Sequence, residues 1–395
     1  MSTRVYIYPT QIYIGSNAVE YTLWLIVMDK YGKIDRCLFR EIVYNMLGLM
    51  RDDVVYKPGF GRDFSVINIG EYDLVVSTDP FFILPEYGWY RAVWYALHTI
   101  AADVLVAGVE PRYLFLELNL PLEISDRDFV ELWSCIHKVA DKLRLAIAGG
   151  HIERYSGVEY PMLGSGMVIG VTKKGLWASI DDIRVGDEVL LVKGGGIETA
   201  ATLAMLFPRV WIERYGLSFY RVVDNVFYMQ SVYREAMLLS RYGLKTMVKY
   251  MHDATEHGVY GALLDIVEGT RYGVYVYYDR LFIDKGVDKI LELYMRFSGV
   301  RIDPYWVTSE GTLVVVVRRG VGEEIASYLN ENGVRASVIG YIDGSGKLLV
   351  EKNGVVEETV FPEQNYFYKL FHSVLESYRK RYKGSRLYTE FKSPG

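Results

Sequence analysis

Four aspartates stand out because each is predicted to lie where a β-strand gives way to a glycine-rich or polar turn. They are Asp63 after Gly59-Phe60-Gly61-Arg62, Asp79 in Ser77-Thr78-Asp79-Pro80, Asp103 in Ala101-Ala102-Asp103-Val104 and Asp253 in Met251-His252-Asp253-Ala254. Glycine turns let a backbone approach phosphates closely, and carboxylate oxygens are the ligands that Mg²⁺ prefers. The aspartates therefore predict a magnesium–nucleotide site assembled from distant parts of the chain.

Histidines beside two of the predicted strand ends are further candidates. The turn His252-Asp253-Ala254-Thr255-Glu256-His257 collects polar side chains after one strand, and such turns often carry functional sites. The run Gly149-Gly150-His151 follows another strand, where His151 is a candidate ligand or general acid–base group. Structural alternatives stay open: Asp253 as a helix cap, His151 as a packing residue and Asp103 as a buried hydrogen-bond partner.

A third candidate is the run Gly194-Gly195-Gly196, which opens a predicted helix whose N-terminal amides would favour an anion. The same glycines could form only a tight connection. The run is no P-loop, since no Gly-Lys-Ser/Thr follows, and the G-x-G-x-x-G spacing of a dinucleotide fold is missing. The chain also lacks a Gly-x-Ser-x-Gly elbow, and its histidine spacing does not match a zinc protease.

Composition narrows the class of protein. The chain has 395 residues, 51% hydrophobic and 24% charged, which is typical of a globular protein with two domains. A net charge of −5 gives no electrostatic reason to expect nucleic-acid or anionic-membrane binding. Two distant cysteines, Cys37 and Cys135, favour buried thiols in a reducing cytoplasm. No stretch is long and apolar enough to cross a bilayer and no secretory signal is read, so we expect a cytoplasmic protein.

The periodicity of apolar residues predicts short strands mixed with amphipathic helices, the pattern of an α/β or α+β protein. The predicted helices cover residues 35–49, 91–106, 126–142, 197–206, 230–241 and 259–267. The predicted strands cover residues 4–14, 65–69, 74–77, 113–120, 145–148, 167–171, 188–192, 246–250, 274–278 and 313–317. We divide the chain into an N-terminal extension (1–50), a first domain (51–177), a second domain (178–362) and a helical tail (363–395).

An ordered set of sequence blocks resembles the aminoimidazole-ribonucleotide synthetase (PurM-like) superfamily, and within it the HypE-like group. The blocks are 59–67 (GFGRDFSVI), 77–80 (STDP), 103–111 (DVLVAGVEP), 149–151 (GGH), 251–258 (MHDATEHG) and 309–313 (SEGTL). The corresponding superfamily patterns include G-x-D-[DA]-A-x-[VI], N-D-L-x-x-x-G-A-x-P, D-P-T-x-G-G and S-S-G-T-L. The likeness covers roughly residues 51–362, and the order of the blocks is more specific than any single block.

The resemblance implies an N-terminal sheet domain that pairs with a second copy into a shared β-barrel, beside a C-terminal α/β domain. ATP would lie in the cleft, with Mg²⁺ held by Asp63, Asp79, Asp103 and Asp253. The residues expected to contact the nucleotide are Gly59, Gly61, Asp103, Gly149, Gly150, Gly195 and Thr255. His151, His252 and Asp253 would be catalytic, and the γ-phosphoryl group would pass to an amide-like or phosphate-accepting small molecule or to a protein terminus.

Departures from the superfamily patterns leave two functional hypotheses. Ala102 replaces the asparagine before Asp103, His151 replaces an acidic residue, and His257 replaces the first glycine of its block. The sequence does not end in the cysteine of HypE proteins, so we do not expect the full HypE reaction. The first hypothesis is an ATP- and Mg²⁺-dependent phosphoryl-transfer enzyme, which the retained aspartates favour. The second is a paralogue that binds nucleotide or a protein partner without turnover, which the departures favour.

Overall fold

A computed structural model describes residues 11–14, 17–20 and 32–382, which fold as an α+β protein. Its helices are α1 (Arg36–Leu38, continuing as a π-helical turn over Phe39–Val43), α2 (Trp89–Val106), α3 (Asp126–Lys142), α4 (Ile197–Leu206), α5 (Pro208–Tyr215), α6 (Tyr220–Tyr228), α7 (Tyr233–Gly243), α8 (Gly258–Thr270), α9 (Lys285–Ser298), α10 (Gly322–Glu331) and α11 (Tyr366–Arg381).

The strands form a small hairpin and two larger sheets. They are β1 (Gln11–Ile14), β2 (Asn17–Glu20), β3 (Val54–Tyr56), β4 (Ser65–Ile69), β5 (Tyr72–Phe82), β6 (Pro111–Pro121), β7 (Ala146–Tyr155), β8 (Met162–Lys173), β9 (Glu188–Val192), β10 (Val248–Asp253), β11 (Gly273–Tyr277), β12 (Leu313–Val317), β13 (Ala336–Asp343), β14 (Leu348–Lys352) and β15 (Val355–Thr359).

The first large sheet has six strands in the order β3-β4-β5-β8-β6-β7. Helices α2 and α3 pack beside it, and α2 carries small and branched apolar residues that are fully buried. Side chains along β5 alternate between buried and accessible positions, as expected for a sheet with one face covered. Strand β7 pairs only with β6 within the described residues, in parallel, and every residue along it is exposed.

The second large sheet has seven strands in the order β10-β12-β9-β13-β11-β14-β15. Within it β12 lies between β10 and β9, and its sequence LVVVV is buried at every position because neighbouring strands and helices cover it. A continuous run of β-branched residues is typical of such a fully covered strand. Helix α11 adds one buried face, with Leu370, Val374 and Tyr378, to the layer formed by α5 and α9.

Most predicted elements are confirmed, with boundaries moved by a few residues. Strands β4, β9 and β12 and helix α4 have the predicted bounds, and helices α2 and α3 begin within two residues of prediction. Asp35 caps α1 and Ser125 caps α3 through side-chain acceptors, as their helix-start positions predict. The helix predicted over 35–49 is wrong in length, because regular turns end at Val43. Of the strand predicted over 4–14, residues 4–10 lie outside the described residues.

Two strands extend through segments that were predicted to be turns, and one aspartate lies in a helix. Asp79 lies inside β5, and Gly149, Gly150 and His151 lie inside β7, because pairing with β8 and β6 continues the strands. Asp103 lies in the last turns of α2, so its predicted place at a strand end is wrong. Of the four aspartates, Asp253 ends its strand and Asp63 precedes one.

Within the described part of the chain, no helix combines the length and the apolar character needed to span a bilayer.

Candidate active site

The first half of the site joins the loop before β4 to the end of β10. The ring Nδ1 of His252 lies 2.7 Å from Asp63 Oδ2 and 3.8 Å from Asp253 Oδ1. Candidate ligand atoms of Asp63, His252 and Asp253 all lie within 4.8 Å of one another. Pairing of β10 with β12 brings Asp253 opposite Leu313, where the side chain is 5% exposed. Residues nearly 190 positions apart in sequence thus share one buried acidic cluster.

The second half of the site joins β5 to α2. The single O–H of Ser77 can donate to Asp103 Oδ2 or to the backbone oxygen of Asp63, 3.3 Å away, and Oγ lies within hydrogen-bond distance of both. Asp79 lies two residues further along β5, and its carboxyl shares a hydrogen bond with that of Asp103. Ser77 therefore ties the two halves together, and the four aspartates lie in one region at the junction of the two sheets.

Several buried carboxyl groups lie close together here, so their charged forms repel one another when no cation is bound. Burial raises the pKa of Asp79 to about 6, and the charge of Asp63 adds to the increase. Burial also raises the pKa of Asp253 to about 7, with Asp63 and Asp79 adding to it. The pKa of Asp103 lies well above its usual range because the side chain is buried and faces the other three. A bound cation would relieve this repulsion.

The donor set fits a magnesium ion. Asp63, Asp79, Asp103 and Asp253 supply hard carboxylate oxygens from four separate segments, as Mg²⁺ prefers over nitrogen or sulphur. His252 is the one histidine among the candidate ligands, and both of its ring nitrogens already face carboxylates. The charge of Lys33 also acts on Asp79 and Asp253. The oxygens are therefore the candidate ligands, and the assignment of these aspartates as metal ligands stays a prediction.

His252 bridges the cluster to a second acidic residue. Burial alone would lower the pKa of His252, but the charge of Asp63 and a hydrogen bond to Asp265 outweigh it, so the pKa lies well above its ordinary value. Its Nε2 lies 3.2 Å from Asp265 Oδ2. Burial would raise the pKa of Asp265, yet His252 and Arg36 lower it to about 2. The ring is thus a cation held between two carboxylates, which fixes the position of Asp63.

The segment around α1 closes one side of this region. Arg36 lies 2.5 Å from Asp265 and 3.0 Å from Glu268, both on α8. Its guanidinium also stacks between the rings of Phe60 and Phe361, at 4.4 and 4.3 Å from their centroids. The segment predicted as an N-terminal extension therefore contacts the same helix that supplies the partner of His252.

Several predicted nucleotide contacts have packing roles in this structure. Gly61 has a φ of +67°, its carbonyl accepts a hydrogen bond from Tyr250, and a Cβ there would collide with Ile180. Gly59 lies in the same loop beside Arg62. The backbone oxygen of Thr255 accepts bonds from the amides of Gly258 and Ser309, at 3.1 and 3.2 Å.

The start of helix α4 is already occupied by a protein group. Ser309 Oγ accepts hydrogen bonds from the amides of Gly196 and Ile197, at 2.6 and 3.3 Å. Gly195 is buried, its amide donates to Phe282, and a Cβ there would press on Tyr305. The structure therefore gives this glycine run the tight-connection role that sequence reasoning left open, and its role in binding nucleotide stays a prediction.

The structure does not bring Gly149, Gly150 and His151 to the acidic cluster within one chain. Asp79 pairs with Gly166, Gly166 with Leu116, and Leu116 with Gly150, so the glycine lies three strands away. At the usual strand spacing this is about 14 Å. The His151 side chain is 61% exposed and its Nε2 lies 3.0 Å from Glu153. The bulge in β7 lies between Ile147 and Gly149, and Gly150 allows close pairing with β6, because a Cβ there would collide with the carbonyl oxygen of Leu116.

Sequence reasoning missed Ser77 and Asp265 as site residues and read the α1 segment as a separate extension. Ser77 lies in the STDP block but was noted only as context for Asp79. Asp265 is a lone acid between Leu264 and Ile266 in an apolar helix, a pattern that signals a buried partner. His257 has a φ of +60°, the left-handed conformation that favours glycine, which accounts for the glycine of the resembling block.

Comparison with known proteins confirms the resemblance. Residues 61–172 match the family model described as "AIR synthase related protein, N-terminal domain", and residues 184–352 match its C-terminal domain model. The chain belongs to the AIR synthase related family, a PurM-like group with HypE among its neighbours. Together with the two mixed sheets, these matches confirm the predicted α+β fold.

Two curated relatives share about a quarter of their residues with this chain. A provisional hydrogenase expression/formation protein from Methanocaldococcus jannaschii is 23% identical over 336 residues, covering 83% of this chain and 92% of the relative. A phosphoribosylformylglycinamidine cyclo-ligase from Pyrococcus furiosus is 23% identical over 312 residues, covering 76% of this chain and 88% of the relative.

Solved structures with the same fold include nucleotide complexes. A HypE–HypF complex aligns with a TM-score of 0.62 at 18% identity, covering 82% of this chain and 99% of the other. AaThiL complexed with AMPPCP and TMP gives 0.60 at 16%, covering 76% and 89%. HypE in complex with ATP gives 0.55 at 18%, covering 86% and 97%. At these identities the likeness establishes the fold alone.

Proposed function

We propose that this protein is an ATP- and Mg²⁺-dependent enzyme that transfers a phosphoryl group to an amide-like or phosphate-accepting substrate. One observation carries the proposal: four aspartates from separate segments converge, and burial and mutual repulsion raise the pKa values of Asp79, Asp103 and Asp253. Isolated buried acids are costly unless a cation uses them. A relative is named as a cyclo-ligase, and structures with the same fold hold ATP or AMPPCP. Both support a nucleotide as the ligand that binds together with the cation.

Asp63, Asp79, Asp103 and Asp253 would hold the metal ion. When bound, Mg²⁺ neutralises phosphate charge and helps to align the attacking and leaving oxygens. His252 acts as a positioning residue, because its protonated ring holds Asp63 on one side and Asp265 on the other. Ser77 has the same role for Asp103.

We further propose that the active protein is a homodimer whose second copy completes the nucleotide site. Strand β7 has an unpaired edge within the described residues and exposes Ile147 and Ile152, at 36% and 42%. An exposed apolar strand edge is a surface that pairs readily with another strand. The glycines and His151 on this strand would then reach the nucleotide of the partner molecule and not that of their own chain.

The test combines binding with turnover. Isothermal titration of Mg-ATP should give saturable binding that disappears when EDTA removes the metal, and labelled ATP in single-turnover incubation should release phosphate. Asp79→Ala should abolish both signals. Absence of Mg-ATP binding by the intact protein, at concentrations up to millimolar, would overturn the proposal.

A second candidate function is a nucleotide- or partner-binding paralogue without turnover. It is favoured by the isolation of His151 from the acidic cluster within one chain. Among the described residues, the histidine at the cluster is His252, and both of its ring nitrogens face carboxylates. Tight Mg-ATP binding with no phosphate release across candidate acceptors would select this candidate over the enzyme. The HypE–HypF complex illustrates that a structural neighbour assembles with another protein.

A further inference from the structure

Glu310 is the buried acid that the acidic cluster does not explain. It lies in the turn before β12, is 1% exposed, and has both carboxyl oxygens buried without a hydrogen-bond partner among the described residues. Its backbone amide donates to Glu198 Oε2 at 3.2 Å, and Glu198 is held from the other side by Tyr95 at 2.8 Å. The main chain around Glu310 is therefore well satisfied, while its side chain is not.

The position of Glu310 places it beside the proposed nucleotide site. Burial raises its pKa well above the usual range, and the charges of Asp253, Glu198 and Asp79 add to the increase. The neighbouring ammonium of Lys193 is committed elsewhere, since it donates to Met229 O and Ser231 O and lies 3.5 Å from Glu235. No protein cation within the described residues thus pairs with Glu310.

Protonation does not resolve the problem that Glu310 poses. A neutral carboxyl has one O–H donor and one carbonyl acceptor, and in this environment both would still lack partners. Each unsatisfied buried polar group destabilises the folded state. The resembling sequence block has serine at this position, so the carboxylate is a feature of this chain and not of the block.

We propose that Glu310 binds a small organic cation, an ammonium or amine group carried by the acceptor substrate. A cation with several N–H donors can bond both carboxylate oxygens and neutralise the charge at once. A second metal ion fits less well, because Asp253 and Asp79, whose charges act on Glu310, are already assigned to the proposed magnesium ion. The role of this cation in the reaction rests on the proposed function, whereas its binding can be measured alone.

The test uses methylammonium chloride as the probe, without nucleotide. Methylammonium at 50 mM should raise the unfolding temperature of the intact protein by about 2 °C or more relative to tetramethylammonium, as expected for a ligand that binds the native state. Tetramethylammonium has the same charge but no N–H donor. Equal shifts with both salts, an equal shift with K⁺, or no shift with methylammonium would overturn the proposal.

Glu310→Gln keeps the size of the side chain and should remove the methylammonium effect. Glu310→Ser, with the residue of the resembling block, is a second variant if the first does not unfold cooperatively. Glu188→Gln is the matched control, because that carboxylate accepts bonds from the amides of Gly320 and Gly322 far from the cluster and should leave the effect intact. A methylammonium effect that survives in both Glu310 variants would contradict the proposal. Mg-ATP titration, run separately, reports on the proposed function alone.

Discussion

The predicted site residues fall into two regions, the acidic cluster and strand β7. The two regions differ in burial and in their contacts. Asp253 is buried, the Asp63 side chain is 14% exposed, and both lie against the ring of His252 on β10. Gly149 to His151 lie on an exposed strand three strands away. The difference supports the proposal that the candidate cation ligands lie together within one chain, whereas the predicted nucleotide contacts on β7 lie apart from them.

The largest effect is expected from the acidic cluster itself. Asp253→Asn should weaken Mg-ATP binding at least ~100-fold, because it removes a carboxylate while leaving a buried amide of the same size. Isothermal titration at saturating Mg²⁺ measures the change. Asp141→Asn is the matched control, since its side chain is exposed near the end of α3 and should leave affinity unchanged. Equal affinities of the two variants for Mg-ATP would show that Asp253 does not take part in binding.

The second prediction tests strand β7 as a dimer edge. The double variant Ile147→Lys/Ile152→Lys should convert a dimer into a monomer and weaken Mg-ATP binding about tenfold, because charges disfavour strand pairing at an edge. Sedimentation velocity gives the oligomeric state. Val130→Lys is the control, as Val130 is an exposed apolar residue on α3. A monomer with undiminished affinity would show that one chain is sufficient.

The sequence predicts the helices and strands better than it predicts where they end. The candidate site residues lie near those ends, so their relative positions are harder to predict. Apolar periodicity locates β4, β9, β12 and α4 because burial within each element determines the pattern. Local reading ends β5 before Asp79 and β7 before Gly149, whereas pairing with β8 and β6 carries both strands onward. The separation of His151 from Asp79 follows from sheet order, which no local pattern encodes.

The third prediction concerns pH and the affinity of the cluster for Mg²⁺ alone. With the pKa of Asp253 raised to about 7 and that of Asp79 to about 6, both groups gain protons as the pH falls from 8 to 6. Protons then compete with the ion, so affinity should fall about tenfold or more over this range. Asp253→Asn should flatten the profile. A constant affinity for Mg²⁺ across this pH range would show that Asp253 and Asp79 do not bind the ion.

A fourth prediction concerns stability without metal. The pKa of Asp79 is about 6 in the folded protein against an ordinary value of 3.8, so the native state binds more protons between these values. Stability therefore falls as the pH rises through this window, and the loss persists above it. Asp79→Asn should raise the stability of the metal-free protein at pH 8 by about 1–2 kcal/mol, about 2–6 °C, and have little effect at pH 4.

Thermal unfolding in EDTA measures this effect, and added Mg²⁺ gives the contrast. The unmodified protein should gain stability from Mg²⁺ at pH 8, whereas Asp79→Asn should gain little. If Asp79→Asn were less stable than the unmodified protein at pH 8, the Asp79 carboxylate would stabilise the fold and the prediction would be wrong.

The smallest effect tests whether strand β7 approaches the acidic cluster of a second copy and not that of its own chain. His151→Gln should weaken Mg-ATP binding about threefold in the dimer, where β7 of one copy would approach the nucleotide of the other. In the monomeric Ile147→Lys/Ile152→Lys background the same change should have no effect, because His151 and Asp79 of one chain are about 14 Å apart across the sheet. The four affinities form a double-mutant cycle, whose coupling energy separates contact between copies from independent effects. Equal losses in both backgrounds would place His151 in its own chain's site and contradict the division between the acidic cluster and β7.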